Sequence, residues 1–267
     1  MAETFRDGLF EGKTAFFTGG TSGIALRIAQ RFAMLGARVA LNGRKPDKLE
    51  QALDGIRSMG GDPLGFACDV REYGAIAEAL KRTHEAWGPI DFLFCAAAGN
   101  FPAPVLGMSA NGFKAVVDID LLGTFNTCRS AHEYLRKPGA SIVNISANHG
   151  HQPYPMQAHV CAAKAGVDLL TQTLAMEWGP HGIRVNGIAP GPIGETEGMR
   201  RLAPTEEAQK AVIRHIPLGR MGATDDIADM AVFLCSDAAS FVTGAILRCD
   251  GGQALTGPRA LSAMTSS

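Results

Sequence analysis

The sequence predicts a single α/β domain, Rossmann-like in layout: a doubly wound parallel sheet of about seven strands with helices on both faces. Two observations predict it. Short apolar runs alternate with longer stretches of helical apolar spacing along the whole chain, the pattern of parallel strands joined by helical crossovers. Of the 267 residues, 46% are hydrophobic, only 19% are charged and 32 are glycine. That composition suits strands buried on both faces and joined by tight turns, and it argues against disorder.

The strand-like runs are residues 14–18, 38–41, 63–67, 92–95, 141–145, 184–188 and 245–248. Helical spacing fills 24–35, 46–59, 72–87, 112–135, 158–178 and 225–235, and several of these end on glycine or proline, as at Gly36, Gly60-Gly61, Gly88-Pro89 and Gly179-Pro180. Those are ordinary helix stops. No linker, repeat or low-complexity segment divides the chain, so one domain is expected over 1–267, with an irregular tail after Gly257.

A net charge of −1 gives no electrostatic case for nucleic acid or an anionic membrane as partner. Six scattered cysteines form no C-x-x-C pair, which fits reduced thiols in a cytoplasmic protein better than a disulfide framework. The first thirteen residues lack a signal-like apolar stretch, and no run approaches the ~20 apolar residues of a membrane span. The terminal Ala263-Met-Thr-Ser-Ser267 is not a peroxisomal address of the S-K-L type. Cytoplasmic localisation is the expectation.

The first strand runs into Thr18-Gly19-Gly20-Thr21-Ser22-Gly23-Ile24 and then a helix. Glycines there let the backbone turn sharply and approach a pyrophosphate, whose charge falls at the helix N-terminus. By itself such a turn is weak; at the first strand–helix junction it points to a dinucleotide cradle made by Gly19, Thr21, Ser22, Gly23 and Ile24. Enzymes that use NAD usually end the second strand on an acid that binds the ribose hydroxyls. Here the run is Leu41-Asn42-Gly43-Arg44-Lys45, with no acid. Arg44 suits a 2′-phosphate and Lys45 adds charge, although a solvated basic loop accounts for Lys45 equally well. NADPH is the expected cofactor.

With Asp69-Val70, Cys95-Ala-Ala-Ala-Gly99, Pro190-Gly191 and Asp250-Gly251-Gly252 following in order, the chain resembles the short-chain dehydrogenase/reductases from about Gly12 to Gly252. The resemblance implies that Asp69 and Val70 hold the adenine, that Ala96, Ala97, Ala98 and Gly99 line the cofactor, and that Pro190, Gly191 and Ile193 meet the nicotinamide. It also implies a homotetramer.

Most members of that family reduce a carbonyl with an Asn, a Ser and a Tyr-x-x-x-Lys pair. The lysine is Lys164, but Val160 stands where the tyrosine belongs, Ala147 (beside Ser146) where the serine belongs, and Asp120 at the asparagine. Reducing a ketone creates an alkoxide that needs a proton donor, and neither Val160 nor Ala147 supplies one. Asp168 lies one helical turn beyond Lys164 and on the same face, so the pair is placed to orient a water; a surface ion pair is the bland alternative.

A narrower resemblance rests on Cys95-Ala-Ala-Ala-Gly-Asn100-Phe101, Asp118-Ile-Asp120, His159 before Lys164, Val167-Asp168 and Ala189-Pro-Gly-Pro-Ile193. It is to 2,4-dienoyl-CoA reductases, the peroxisomal type above all, which also lacks the tyrosine. The resemblance implies an acyl-CoA thioester substrate, hydride addition at Cδ and protonation at Cα to give a 3-enoyl-CoA in the oxidation of unsaturated fatty acids. Lys164, Asp168 and Asp120 are then the catalytic residues, and Asn100, Phe101 and His159 line the substrate. The residues 195–209 read as a flap, with Arg200, Arg201 and Arg214 either meeting CoA phosphates or simply solvated. His149, His151 and His159 crowd the same side, but their spacing matches no usual zinc pattern, and no metal is expected. Two rivals remain: a catalytically inactive NADPH-binding regulator, or a reductase of another enoyl or ketoacyl thioester.

Overall fold

A computed structural model describes residues 5–256; the tail after Gly257, expected to be irregular, lies outside the described residues. Within them the strands are β1 (Thr14–Thr18), β2 (Arg38–Gly43), β3 (Leu64–Ala67), β4 (Phe92–Cys95), β5 (Ser141–Ile145), β6 (Arg184–Pro190) and β7 (Ile246–Cys249). All seven join one wholly parallel sheet in the order β3-β2-β1-β4-β5-β6-β7. The helices are α1 (Gly23–Met34), α2 (Pro46–Arg57), α3 (Tyr73–Trp87), α4 (Ala110–Val117), α5 (Gly123–Ala131), α6 (Ala158–Trp178), α7 (Glu197–Leu202), α8 (Glu206–Ile213) and α9 (Thr224–Cys235).

Strand periodicity sorts the core into two layers. Phe17, Val39, Leu41 and Phe94 face α1, α2 and α9, while Phe16, Ala40, Leu93 and Ile142 face α3, α5 and α6. Successive residues of one strand thus serve opposite faces. Phe17 and Phe94 stack across β1 and β4 with centroids 4.5 Å apart, at the point where the strand order reverses. Such a reversal opens a crevice at the strands' carboxyl ends.

Three departures from the sequence reading matter. β6 runs on to Pro190, so the sheet reaches further toward the crevice than residues 184–188 predict. The segment 195–209, read as a flap, contains α7 and the start of α8, whose Met199 and Ala208 pack on a small cluster of Ala203, Val212 and Ile216. The helix expected over 112–135 comprises α4, a π turn at Asp118–Leu122 and α5, which ends at Ala131. A π turn widens the coil and re-aims the side chains it carries, often at functional sites; here it carries Asp120, which is 1% exposed. No helix among the described residues is long and apolar enough to cross a membrane.

Candidate active site

The crevice begins at the turn after β1. Gly19 has φ of +67° and Gly23 of +57°, conformations that side chains oppose. A Cβ on Gly19 would stand 2.7 Å from the backbone of Ala97, so only glycine lets the first turn lie against the loop after β4. Thr18 ties the two loops: its hydroxyl donates to the Phe94 carbonyl and accepts from Ala96 N at 3.2 Å. Ser22 precedes α1 without capping it, and the first turn of α1 holds no acid. Its free N–H groups and positive dipole end therefore suit an anion. The residues present fit a dinucleotide.

At the end of β2, Asn42 spends its amide on the carbonyls of Phe66 and Cys68, and Gly43 packs on Thr21. Arg44 and Lys45 are exposed. Arg44 Nη1 is 3.8 Å from Asp69 Oδ2, whereas Arg71 grips both Asp69 oxygens at 2.7 and 3.0 Å. That grip holds the Asp69 carboxyl below its usual range and leaves Arg44 largely uncommitted. Val70 is buried and Ala98 exposed, with Ala96 and Ala97 between those extremes. Across the sheet, Gly191 N donates to the Cys249 carbonyl at 3.0 Å, Pro190 ends β6, and the Ile193 side chain is in the core.

Lys164 and Asp168 lie one turn apart on α6, both buried. They do not pair. Lys164 Nζ donates to the Ile145 carbonyl at 2.9 Å and lies 3.3 Å from Asp120 Oδ2. Asp120 Oδ1 accepts from Gly99 N at 2.7 Å, so the π turn, α6 and the loop after β4 meet at this carboxylate. Asp168 points into the loop after β5. Its Oδ2 is 3.4 Å from His151 Nε2, and the site has room for it because residue 150 is glycine: a Cβ there would overlap the carboxylate. Burial pushes the Asp168 carboxyl above its usual range, opposed by the Ser146 hydroxyl, His151 and Lys164.

The loop carrying His149 and His151 is anchored. Asn148 Nδ2 donates to Asp250 Oδ2 at 3.0 Å and to Gln253 Oε1 at 3.3 Å, and Gln152 donates to the Ala254 carbonyl. Among the residues expected to line a substrate, Asn100 Nδ2 donates to Gln157 Oε1 at 3.1 Å, and Phe101 meets His159 edge to face at 4.5 Å. Ala103 N donates to the carbonyl of Met156 at 2.8 Å, and Met156 holds a φ of +64°. A side chain in that region is strained, which is commonest at functional loops. Sequence reasoning passed over Gln157, Tyr154, Gly150 and Met156, since nothing in their spacing ties them to Lys164. It set His149 and His151 aside with the metal reading, although their crowding was visible.

His149 stacks on Tyr154 with centroids 4.1 Å apart, and neither ring nitrogen has a hydrogen-bond partner. Burial, then Lys164, lowers its pKa from 6.5 to about 4. The unfolded chain binds a proton at this position as pH falls below 6.5, while the folded chain does so only near 4. Folding is therefore weakened across that window, by about 3 kcal/mol at its acid end. His149→Phe is expected to lose that much less stability than the wild type between pH 7 and 4, as read from urea unfolding at each pH. Equal losses in the two proteins would refute the burial of a neutral imidazole.

The chain is similar to known proteins over most of its length. A family model described as enoyl-(acyl carrier protein) reductase matches residues 19–254. The peroxisomal 2,4-dienoyl-CoA reductase of Saccharomyces cerevisiae, (3E)-enoyl-CoA-producing, is 46% identical over 93% of this chain and 86% of the relative. The corresponding Arabidopsis thaliana protein is 42% identical over 98% and 91%. A Bacillus subtilis relative named "Probable 2,4-dienoyl-CoA reductase [(2E)-enoyl-CoA-producing]" is 40% identical over 91% and 97%. Among solved structures, a short chain dehydrogenase from Bacillus anthracis superposes with a TM-score of 0.81 at 40% identity, covering 91% of this chain and 96% of that one.

Proposed function

The chain belongs to the short-chain dehydrogenase/reductase family and is a homologue of its 2,4-dienoyl-CoA reductases, and from that premise we propose that it reduces 2,4-dienoyl-CoA thioesters with NADPH to 3-enoyl-CoA. The observation that carries the reading is the replacement of the carbonyl-reducing tyrosine by the buried, apolar Val160, while Asp168 and Asp120 flank Lys164. A site without a hydroxyl acid beside its lysine is ill suited to protonate an alkoxide. A buried carboxyl whose pKa is raised is suited to deliver a proton to carbon through a water.

A dinucleotide held in the crevice would supply the hydride for Cδ of the diene. The turn from Gly19 to Ile24 would hold its pyrophosphate. Arg44 and Lys45 would meet the 2′-phosphate, Asp69 and Val70 the adenine, and Ala96, Ala97 and Ala98 with Pro190, Gly191 and Ile193 the rest of its length. Lys164, fixed by Ile145 and Asp120, would bind the nicotinamide ribose. Charge from the reduced diene spreads onto the thioester oxygen, and Asp168 protonates Cα through a water. Asp120 sets the position of Lys164. Asn100, Phe101 and His159 line the acyl chain.

This reading places the reaction among the auxiliary steps of unsaturated fatty-acid oxidation. A homotetramer belongs to it as well, supported by the exposed apolar side chains Phe125 on α5 and Leu169 and Met176 on α6. The six free cysteines support a cytoplasmic setting, whereas the yeast and plant relatives are named peroxisomal.

The test mixes protein, NADPH and 2,4-hexadienoyl-CoA and follows both chromophores. We expect loss of the diene and of NADPH in equal amounts, with a 3-enoyl product. A 2-enoyl product, as named for the Bacillus subtilis relative, would move the proton from Cα to Cγ. NADPH binding without turnover would instead identify a regulator, and turnover of a ketoacyl-CoA alone would overturn the substrate.

A further inference from the structure

Each turnover in this reading consumes one proton, and Asp168 has no direct way to recover it. Its side chain is 8% exposed, and neither carboxylate oxygen is open to solvent or hydrogen-bonded. Three groups bear on that carboxyl: the Ser146 hydroxyl, Lys164 and His151. Ser146 is buried at the end of β5, and Lys164 is buried and committed to Ile145 and Asp120. His151 alone of the three reaches water. Its side chain is 28% exposed while its Nε2 lies 3.4 Å from Asp168 Oδ2. Its loop is pinned to the 250–254 turn through Asn148 and Gln152, so the contact is held on both sides.

We infer that His151 is the proton-feeding residue of the site, carrying protons from solvent to Asp168 between turnovers. The inference rests on the reductase reading. The step balances: protonated Asp168 gives its proton through water to the substrate carbon and is left as carboxylate. The neutral His151 ring takes a proton from water or buffer on Nδ1 as it passes the proton on Nε2 to Asp168 Oδ2, and it resets when the Nδ1 proton returns to water and Nε2 is protonated again. No electron moves in this step. Gly150 is part of the arrangement, because a side chain there would occupy the space in which the carboxylate meets the imidazole.

Two measurements test it. In the cofactor-free protein, the imidazole NMR resonances of His151 should move in Asp168→Asn; unmoved resonances would remove the contact. In steady state at low buffer, His151→Gln should lower kcat by about 10²-fold and KM for 2,4-hexadienoyl-CoA with it, leave kcat/KM and the Kd for NADPH unchanged, and regain rate as imidazole is added. A merely structural His151 would show no such buffer dependence. Full activity of His151→Gln without added imidazole, or a loss that imidazole does not relieve, overturns the relay while the wild type still turns over the diene. Failure of the wild type to use any dienoyl thioester overturns the reductase reading itself, a result the NMR arm would not share.

Discussion

Asp168→Asn is expected to lower kcat by roughly 10²–10⁴-fold, the usual worth of a positioned proton donor, while NADPH binding stays within about twofold of the wild type. Asparagine keeps the shape that fits against Gly150 but cannot give up a proton. The same substitution should leave the fold no weaker, and more stable relative to the wild type as pH rises. The sign follows from the raised pKa of the buried carboxyl. Below the ordinary carboxylate value both folded and unfolded chains hold the proton, so there is no cost. As pH climbs through the raised value, the unfolded chain has already ionised and the folded chain must either keep the proton or bury a charge. Folding loses stability over that window, and the asparagine variant escapes the loss.

Gain of stability with loss of turnover marks a residue kept for chemistry at the expense of packing. Kinetics at saturating NADPH combined with urea unfolding at pH 5 and 8 would read both effects. A variant that is inactive and unstable would point to a structural Asp168. A variant that is fully active would remove Asp168 from the reaction. Gly150→Ala reaches the same carboxylate from outside, since the added methyl overlaps Asp168 Oδ2 and stands 3.1 Å from the Lys164 carbonyl; it should share the loss of kcat and the intact NADPH affinity.

The residues at this end of the sheet show what a sequence can and cannot say. Strands β1, β4 and β5 coincide with their apolar runs because strands buried on both faces tolerate nothing else. The helix starts and stops followed from Pro46 at the head of α2 and from Gly36 and Gly88, which take positive φ. The pairing of Lys164 was not readable. Helical spacing offers Asp168 as its neighbour, whereas the fold brings Asp120 to it across two elements, through a π turn that leaves no mark on apolar periodicity. The contact between His151 and Asp168 was hidden for a related reason. It depends on the path of the loop after β5, and that path is set by hydrogen bonds from Asn148 and Gln152 to residues about a hundred positions away. The sequence predicts no helix for α7 and α8, and residues 195–209 read only as a flap, because that span is rich in Glu, Arg and Pro and the apolar residues that pack the helices are few.

Arg44→Glu is expected to raise the Kd for NADPH by about 10–150-fold and to leave that for NADH little changed, so that the preference between them collapses. The range corresponds to the loss of one charge-assisted hydrogen bond, ~1.5–3 kcal/mol. The argument rests on what surrounds the side chain. Asn42 cannot serve a ribose hydroxyl, because its amide is spent on the carbonyls of β3 and the following residue. Asp69, the acid nearest Arg44, is already gripped by Arg71, and the remaining 3.8 Å approach to Arg44 is a weak competitor for a dianionic phosphate. Arg44 thus stands exposed, charged and uncommitted at the end of β2, with Lys45 beside it. Glutamate there would repel a 2′-phosphate and offer two acceptors to ribose hydroxyls. Fluorescence titration of both cofactors with both proteins decides the matter. A wild type that binds NADH as tightly as NADPH would show that Arg44 is only a solvated arginine. Selectivity for NADPH that survives Arg44→Glu would shift the phosphate to Lys45 or to Arg71, whose guanidinium would then have to leave Asp69.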